Sequence, residues 1–152
     1  MDKINLKRTT SADADFQSLV TELNADLRKR NGNIMDSYEQ HNVIVKLDTV
    51  VVAYLQGTPV GCGCFKLYDQ DSVELKRMFV QERARGKGIS KMILAALEEW
   101  ALELGFKYTV LETGLKQLEA QGLYQKAGYA EIEKYGPYVE LEDSICFRKT
   151  LS

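Results

Sequence analysis

One segment limits the folds open to this chain more than any other. Arg83-Ala84-Arg85-Gly86-Lys87-Gly88-Ile89-Ser90 joins a strand-like run, VELKRMFV, to a long amphipathic helix, and a second strand, YTVLET, follows that helix. A strand, a helix and a strand in succession place the two strands parallel, because a crossover of this length does not close a hairpin. The helix is read from spacing: Ile89, Met92, Ile93, Ala96, Leu97, Trp100 and Leu104 recur at helical intervals, and Gly105 marks its end. Upstream the pattern is antiparallel. TVVVAYL, PVGCGCFKLY and VELKRMFV are joined by Gln56-Gly57-Thr58 and Asp69-Gln70-Asp71, and read as a meander.

The flanks complete the pattern. Ile4 and Leu6 alternate with polar residues in a short first strand. In SADADFQSLVTELNADLRKRN, Ser11 is expected to cap a helix whose inner face carries Phe16, Leu19, Val20, Leu23 and Leu27, with Asn31-Gly32-Asn33 as its stop. After YTVLET come a second helix over LKQLEAQGLYQKA ended by Gly128, a strand YAEIEKY, a loop GPYVELED and a closing strand SICFRKTL. The expected fold is mixed α/β: a mostly antiparallel sheet with a central parallel strand pair, flanked by helices. No stretch reads as a linker, since only two prolines occur and the 11 glycines are scattered. Residues 1–152 are therefore expected to form a single domain, long enough to bury about 70% of the unfolded surface.

Charge and composition remove several function classes. Lys and Arg number 20 against 22 Asp and Glu, a net charge of -2, so no global field holds nucleic acid or anionic lipid, and any anion site is local. No unbroken apolar run is longer than Val50 to Leu55, far short of the roughly 20 residues of a membrane span. The start, MDKINLKRTT, has no apolar signal core, and three cysteines do not make a disulfide framework; a cytoplasmic location is expected. Cys62 and Cys64 lie two apart in a strand with Cys146 distant, which is no metal spacing, so no metal is expected. His41 is the one histidine and has no relay motif around it.

The glycine loop is where local charge concentrates. A helix N-terminus leaves unpaired N–H donors and about half a positive charge, and Gly86 and Gly88 let backbone approach phosphate oxygens. Arg83, Arg85 and Lys87 add positive side chains, although a solvated glycine turn would look the same. Neither glycine begins the G-x-x-x-x-G-K-[ST] spacing, and Lys91 stands where a dinucleotide fingerprint needs its third glycine.

With its R/Q-x-x-G-x-G/A loop, the strand before it, the strand after its helix, and the segment EAQGLYQKAGY ended by Gly128-Tyr129, the chain resembles the GNAT superfamily of N-acetyltransferases over about residues 49 to 151. The resemblance implies that Arg83, Ala84, Arg85, Gly86, Lys87, Gly88, Ile89 and Ser90 bind the pyrophosphate of acetyl-CoA through backbone N–H groups. It implies that Met78, Phe79 and Val80 pair with the pantetheine arm where VELKRMFV and YTVLET splay apart, with Phe79 or Val80 N–H as an oxyanion contact. Gln117 stands where the family often has asparagine, seven residues before Tyr124.

Acyl transfer from a thioester to an amine needs a neutral amine, donors for the carbonyl oxygen and a proton for the departing sulfur. Tyr124 resembles the family's tyrosine acid, and a phenol with pKa of about 10 holds its proton at neutral pH. Glu74, in the strand leading to the loop, is the candidate base; otherwise it is an exposed strand carboxylate paired with a cation, and water does the work. The expected partner is a small-molecule or peptide amine, neither nucleic acid nor membrane, with a homodimer left open. A non-catalytic acyl-CoA-binding module is the alternative. The resemblance further implies that the 135–143 loop overhangs the acceptor side of the cleft, where Tyr135, Tyr138, Glu140, Glu142 and Asp143 would favour an acceptor that is cationic before it reacts.

Overall fold

A computed structural model describes residues 3–31 and 47–152. His41 and the expected stop at Gly32-Asn33 lie outside the described residues. The elements run β1 (Ile4–Thr9), α1 (Ala14–Asn31), β2 (Val50–Leu55), β3 (Thr58–Leu67), β4 (Ser72–Val80), α2 (Ile89–Glu103), β5 (Tyr108–Gly114), α3 (Leu118–Lys126), β6 (Ala130–Ile132) and β7 (Ser144–Thr150). This is the expected order of strands and helices. The seven strands form one sheet in the order β1-β2-β3-β4-β5-β7-β6, antiparallel except for the parallel β4–β5 pair. Among the described residues no helix is long and apolar enough to cross a membrane. The chain divides into two compact units, Met1–Phe65 with Lys76–Leu97, and Lys66–Leu75 with Glu98–Ser152.

In the first unit, Phe16, Leu19 and Val20 of α1 pack on Val50 and Val52 of β2 and on Cys62 and Cys64 of β3, with Phe79 against the same cluster. The other face of β3 presents glycine because nothing larger fits. A Cβ at Gly63 would lie 2.5 Å from Met78 Sδ and 2.9 Å from Leu97 Cδ1, and one at Gly61 would lie 2.9 Å from the Phe79 carbonyl oxygen. The Gly-Cys-Gly-Cys run is thus a two-faced strand, thiols towards α1 and bare backbone towards α2. The stripe of α2 departs from expectation: Ile89, Ile93, Leu94, Leu97 and Ala101 are buried, whereas Met92 and Leu104 are 37% and 54% exposed.

Asp13, not Ser11, caps α1. Its Oδ1 accepts the N–H of Asp15 and Phe16 at 2.9 and 3.1 Å, and its carbonyl takes the first helical bond from Gln17. Ser11 instead exchanges bonds with Leu47: its Oγ accepts the Leu47 N–H, and its N–H donates to the Leu47 carbonyl. Burial pushes the Asp13 carboxyl up, but the Lys7 ammonium, the Phe16 N–H and the Thr9 hydroxyl outweigh it and leave the pKa lowered. Asp13→Ala is expected to lower the urea midpoint by a stability loss of about 0.5–2 kcal/mol without changing the m value. The loss shrinks as pH falls through the lowered Asp13 pKa, where the carboxylate is protonated in the folded state too. An unchanged midpoint would mean that the Asp13 capping bonds add nothing to stability.

In the second unit, β4 pairs with β5 from Ser72↔Tyr108 to Glu74↔Val110, and β7 lies between β5 and β6, antiparallel to both. The expected strand over 129–135 shrinks to Ala130–Ile132, and the segment after it turns at a 3-10 helix over Gly136–Glu140. The Lys134 ammonium holds the returning chain by donating to the Leu141 carbonyl at 2.7 Å. The second helix begins at Leu118 rather than Leu115, and the Leu115 N–H instead donates to the Asp143 carbonyl at 2.7 Å, just past the β5–β7 pairing.

Both α2 and α3 end in the same way. Phe106 N–H returns to the Ala101 carbonyl and Gly105 N–H to Leu102, while Tyr129 N–H returns to Tyr124 and Gly128 N–H to Gln125. These are Schellman pairs, which need a left-handed residue after the cap, and Gly105 and Gly128 supply it at φ +93° and +101°.

Candidate functional site

The loop between β4 and α2 is built from backbone first. At the end of β4 the Gln81 N–H donates to the Val60 carbonyl at 2.8 Å, and one 3-10 turn, Glu82–Ala84, buries Ala84. Gly86 and Gly88 then adopt φ of +82° and +78°, and a Cβ at either would meet nothing within 4 Å. Glycine is required there by conformation, not by space. The Gly88 carbonyl accepts the Met92 N–H at 3.1 Å, so the N–H groups that open α2 at Ile89 and Ser90 lie in its first turn, without intrahelical partners. Exposed glycine backbone leading into a helix start is a cradle for an anion.

The side chains of the loop are less free than the sequence implies. Arg85 Nε donates to the Val80 carbonyl at 2.9 Å, and its Nη2 lies 3.7 Å from Asp26 of α1. Arg83 Nε donates to Gln81 Oε1 at 3.0 Å, and the Gln81 amide donates to both oxygens of Glu22 at 2.9 Å. Glu22 and Asp26, one turn apart on α1, therefore steady the base of the loop. Their spacing was visible in the sequence, but nothing local linked it to residues about 60 positions away.

Met78, Phe79 and Val80 follow an irregular residue. Arg77 sits inside β4 at φ +59°, a region that costs a non-glycine residue on the order of 1 kcal/mol or more. The carbonyls of Lys76 and Arg77 are each reached by a β3 thiol, Cys64 and Cys62 respectively, at 3.3 Å. Two successive carbonyls towards one neighbour break regular strand alternation, so β4 kinks just before the three residues assigned to the pantetheine arm. Arg77 Nη1 donates to Asn24 Oδ1 at 3.1 Å, which ties the kink to α1.

The second unit holds the titratable candidates. Tyr124 is 6% exposed, its ring edge-on to Tyr129 at 5.7 Å and tilted against Phe147 at 6.4 Å. Among the described residues its hydroxyl has no hydrogen-bond partner. Burial, helped by the charge of Glu112, raises its pKa well above the ordinary phenol value, so it is a held proton donor. Glu112, which sequence reasoning did not single out, accepts the Ser144 hydroxyl at 2.7 Å.

Glu74, the candidate base, is not an exposed strand carboxylate. It is 3% exposed; Tyr135 donates its hydroxyl to Oε2 at 2.8 Å, Tyr138 also hydrogen-bonds the carboxylate, and Lys66 Nζ stands 3.7 Å from Oε1. The rings continue outward, Tyr138 against Tyr135 at 5.5 Å and Tyr135 against Tyr68 at 4.8 Å, with Tyr68 itself 43% exposed. Burial and the Glu74 charge push both the Tyr135 and Tyr138 phenols far up. Beside them, burial, with further help from Glu112 and Glu74, raises the Cys146 thiol to about 11, although a backbone bond with Tyr135 opposes it. Of the acidic run expected near the acceptor, Glu140 and Glu142 are exposed and Asp143 half-buried. Gln117 occupies the cap position of α3 with no capping bond from its side chain, and its Nε2 lies 3.2 Å from where a Cβ on Gly114 would stand.

The family model described as acetyltransferase (GNAT) family matches residues 16–129. An IAA acetyltransferase of Azospirillum brasilense is 33% identical over 138 residues, covering 86% of this chain and 89% of its own length. Among solved structures, a candidate acyl-CoA N-acyltransferase from Klebsiella pneumoniae superposes with a TM-score of 0.75 at 28% identity, covering 100% of this chain and 99% of that one. A PaiA N-acetyltransferase from Thermoplasma acidophilum, solved in complex with coenzyme A, has a TM-score of 0.68 at 15% identity, with 97% and 99% of the two chains covered.

Proposed function

Because the chain belongs to the GNAT family of acetyltransferases, we propose that it transfers an acetyl group from acetyl-CoA to a primary amine by direct attack. The observation that carries this reading is Tyr124, a residue 6% exposed whose hydroxyl has no hydrogen-bond partner among the described residues, standing in the LYQKAGY segment. In the reaction the neutral amine adds to the thioester carbonyl, the C–N bond forms and the C–S bond breaks. Tyr124 gives its proton to the departing sulfur. Glu74 takes the proton that the amine sheds, with Tyr135 holding one carboxylate oxygen. The loop from Arg83 to Ser90 binds pyrophosphate through backbone N–H groups, and Met78, Phe79 and Val80 pair with the pantetheine arm. The exposed, left-handed backbone at Gly86 and Gly88 supports that assignment, and Gln117 adds an amide near the start of α3. The described cysteines are free thiols, in keeping with cytoplasmic work.

Incubation with acetyl-CoA and a panel of primary amines is expected to release free coenzyme A thiol and N-acetylated product in equal amounts. Binding of acetyl-CoA with no amine-dependent thiol release from any acceptor class would leave a binding module instead.

A further inference from the structure

Tyr129 lies outside the chemistry proposed above, yet it is bound to Tyr124 in two ways. Its N–H closes the end of α3 on the Tyr124 carbonyl at 3.0 Å, and its ring meets the Tyr124 ring edge-on at 5.7 Å. Tyr129 is itself locked. Its hydroxyl donates to Glu98 Oε2 at 2.8 Å and shares a hydrogen bond with Thr109 Oγ1 at 2.7 Å. Lys149 holds the other Glu98 oxygen at 3.0 Å, and Lys149 and Thr109 are register partners in β7 and β5. Tyr129 is 4% exposed and Thr109 wholly buried. A cap contact between these two helix positions is common by itself. A part-buried polar clamp of Glu98, Thr109 and Lys149 on one member is more than a cap requires, and it holds the ring against which the Tyr124 ring packs.

We propose that Tyr129 is a positioning residue for Tyr124: clamped by Glu98 and Thr109, its ring fixes the direction in which the Tyr124 hydroxyl delivers its proton. This rests on Tyr124 being the acid. The ring of Tyr129 does the positioning, and the clamp keeps the ring in place.

The test is a double-mutant cycle on the full chain, reading kcat and KM for acetyl-CoA by thiol release, with thermal unfolding alongside. Tyr129→Leu is expected to lower kcat about tenfold, within the range of coupled contacting residues, while KM for acetyl-CoA stays within about twofold. In a Tyr124→Phe background the same substitution is expected to have no further effect on kcat. Tyr129→Phe, which keeps the ring, should cost less than Tyr129→Leu and keep the chain folded if the leucine variant does not fold. An equal loss of kcat from Tyr129→Leu in both backgrounds overturns the proposal, as does full turnover in Tyr129→Leu; if only the phenylalanine variant folds, an equal loss from it in both backgrounds does the same. If Tyr124→Phe alone turns over normally, the acid assignment itself falls, and nothing is left for Tyr129 to position.

Discussion

Replacing Tyr124 by phenylalanine should reduce kcat by about 10²–10⁴, the usual worth of a placed general acid, with a much smaller rise in KM for acetyl-CoA. The substitution isolates the proton. The ring contacts with Tyr129 and Phe147 survive, and the lost hydroxyl had no partner among the described residues, so the melting temperature should hardly move. The pH profile gives a second reading. Burial holds this phenol above its ordinary value, so its ionisation cannot limit the rate below about pH 10. Any basic limb at lower pH belongs to another group. Unchanged turnover under conditions where chemistry limits the rate would reduce Tyr124 to a packing residue.

Gly88→Glu should weaken acetyl-CoA binding by about 100-fold or more, measured by calorimetry. Two effects combine. A φ of +78° strains any residue with a Cβ by about 1–2 kcal/mol, which pulls the start of α2 out of shape. The carboxylate then places negative charge among the N–H groups assigned to a pyrophosphate. Because the space around Gly88 is open, the unit should still fold. Gly88→Ala separates the two terms, since it carries the strain and not the charge. Unchanged affinity in the glutamate variant would move the cofactor site away from this loop.

The parts of the fold set by local rules were legible in advance. Gly105 and Gly128 announced both helix ends because a left-handed cap there has few substitutes. The meander and the parallel crossover followed from turn residues and spacing. What escaped was decided across the chain. Ser11 and Asp13 are equally good caps on local grounds, and a bond from Ser11 to Leu47, 36 positions on, settles the choice. For Glu74 the sequence allows either a base or an exposed, cation-paired strand carboxylate; the tyrosine that contacts it comes 61 residues later. Arg85 reads in the sequence as one of three positive side chains on the loop, but its guanidinium is engaged by the Val80 carbonyl and Asp26. The residues proposed for the site can be named from the sequence; their partnerships cannot.

The closure of α3 decides what kind of sequence change this stretch can absorb. Gln125 and Lys126 are exposed, so their identity is open to exchange. Their number is not. One bond counts back from Tyr129 to Tyr124 and another from Gly128 to Gln125. Inserting a single residue would turn the following chain by about 100° around the helix axis and swing Tyr129 away from Thr109 and Glu98. Point substitutions at 125 and 126 are then cheap, whereas any insertion or deletion between the two tyrosines carries the cost of the whole clamp.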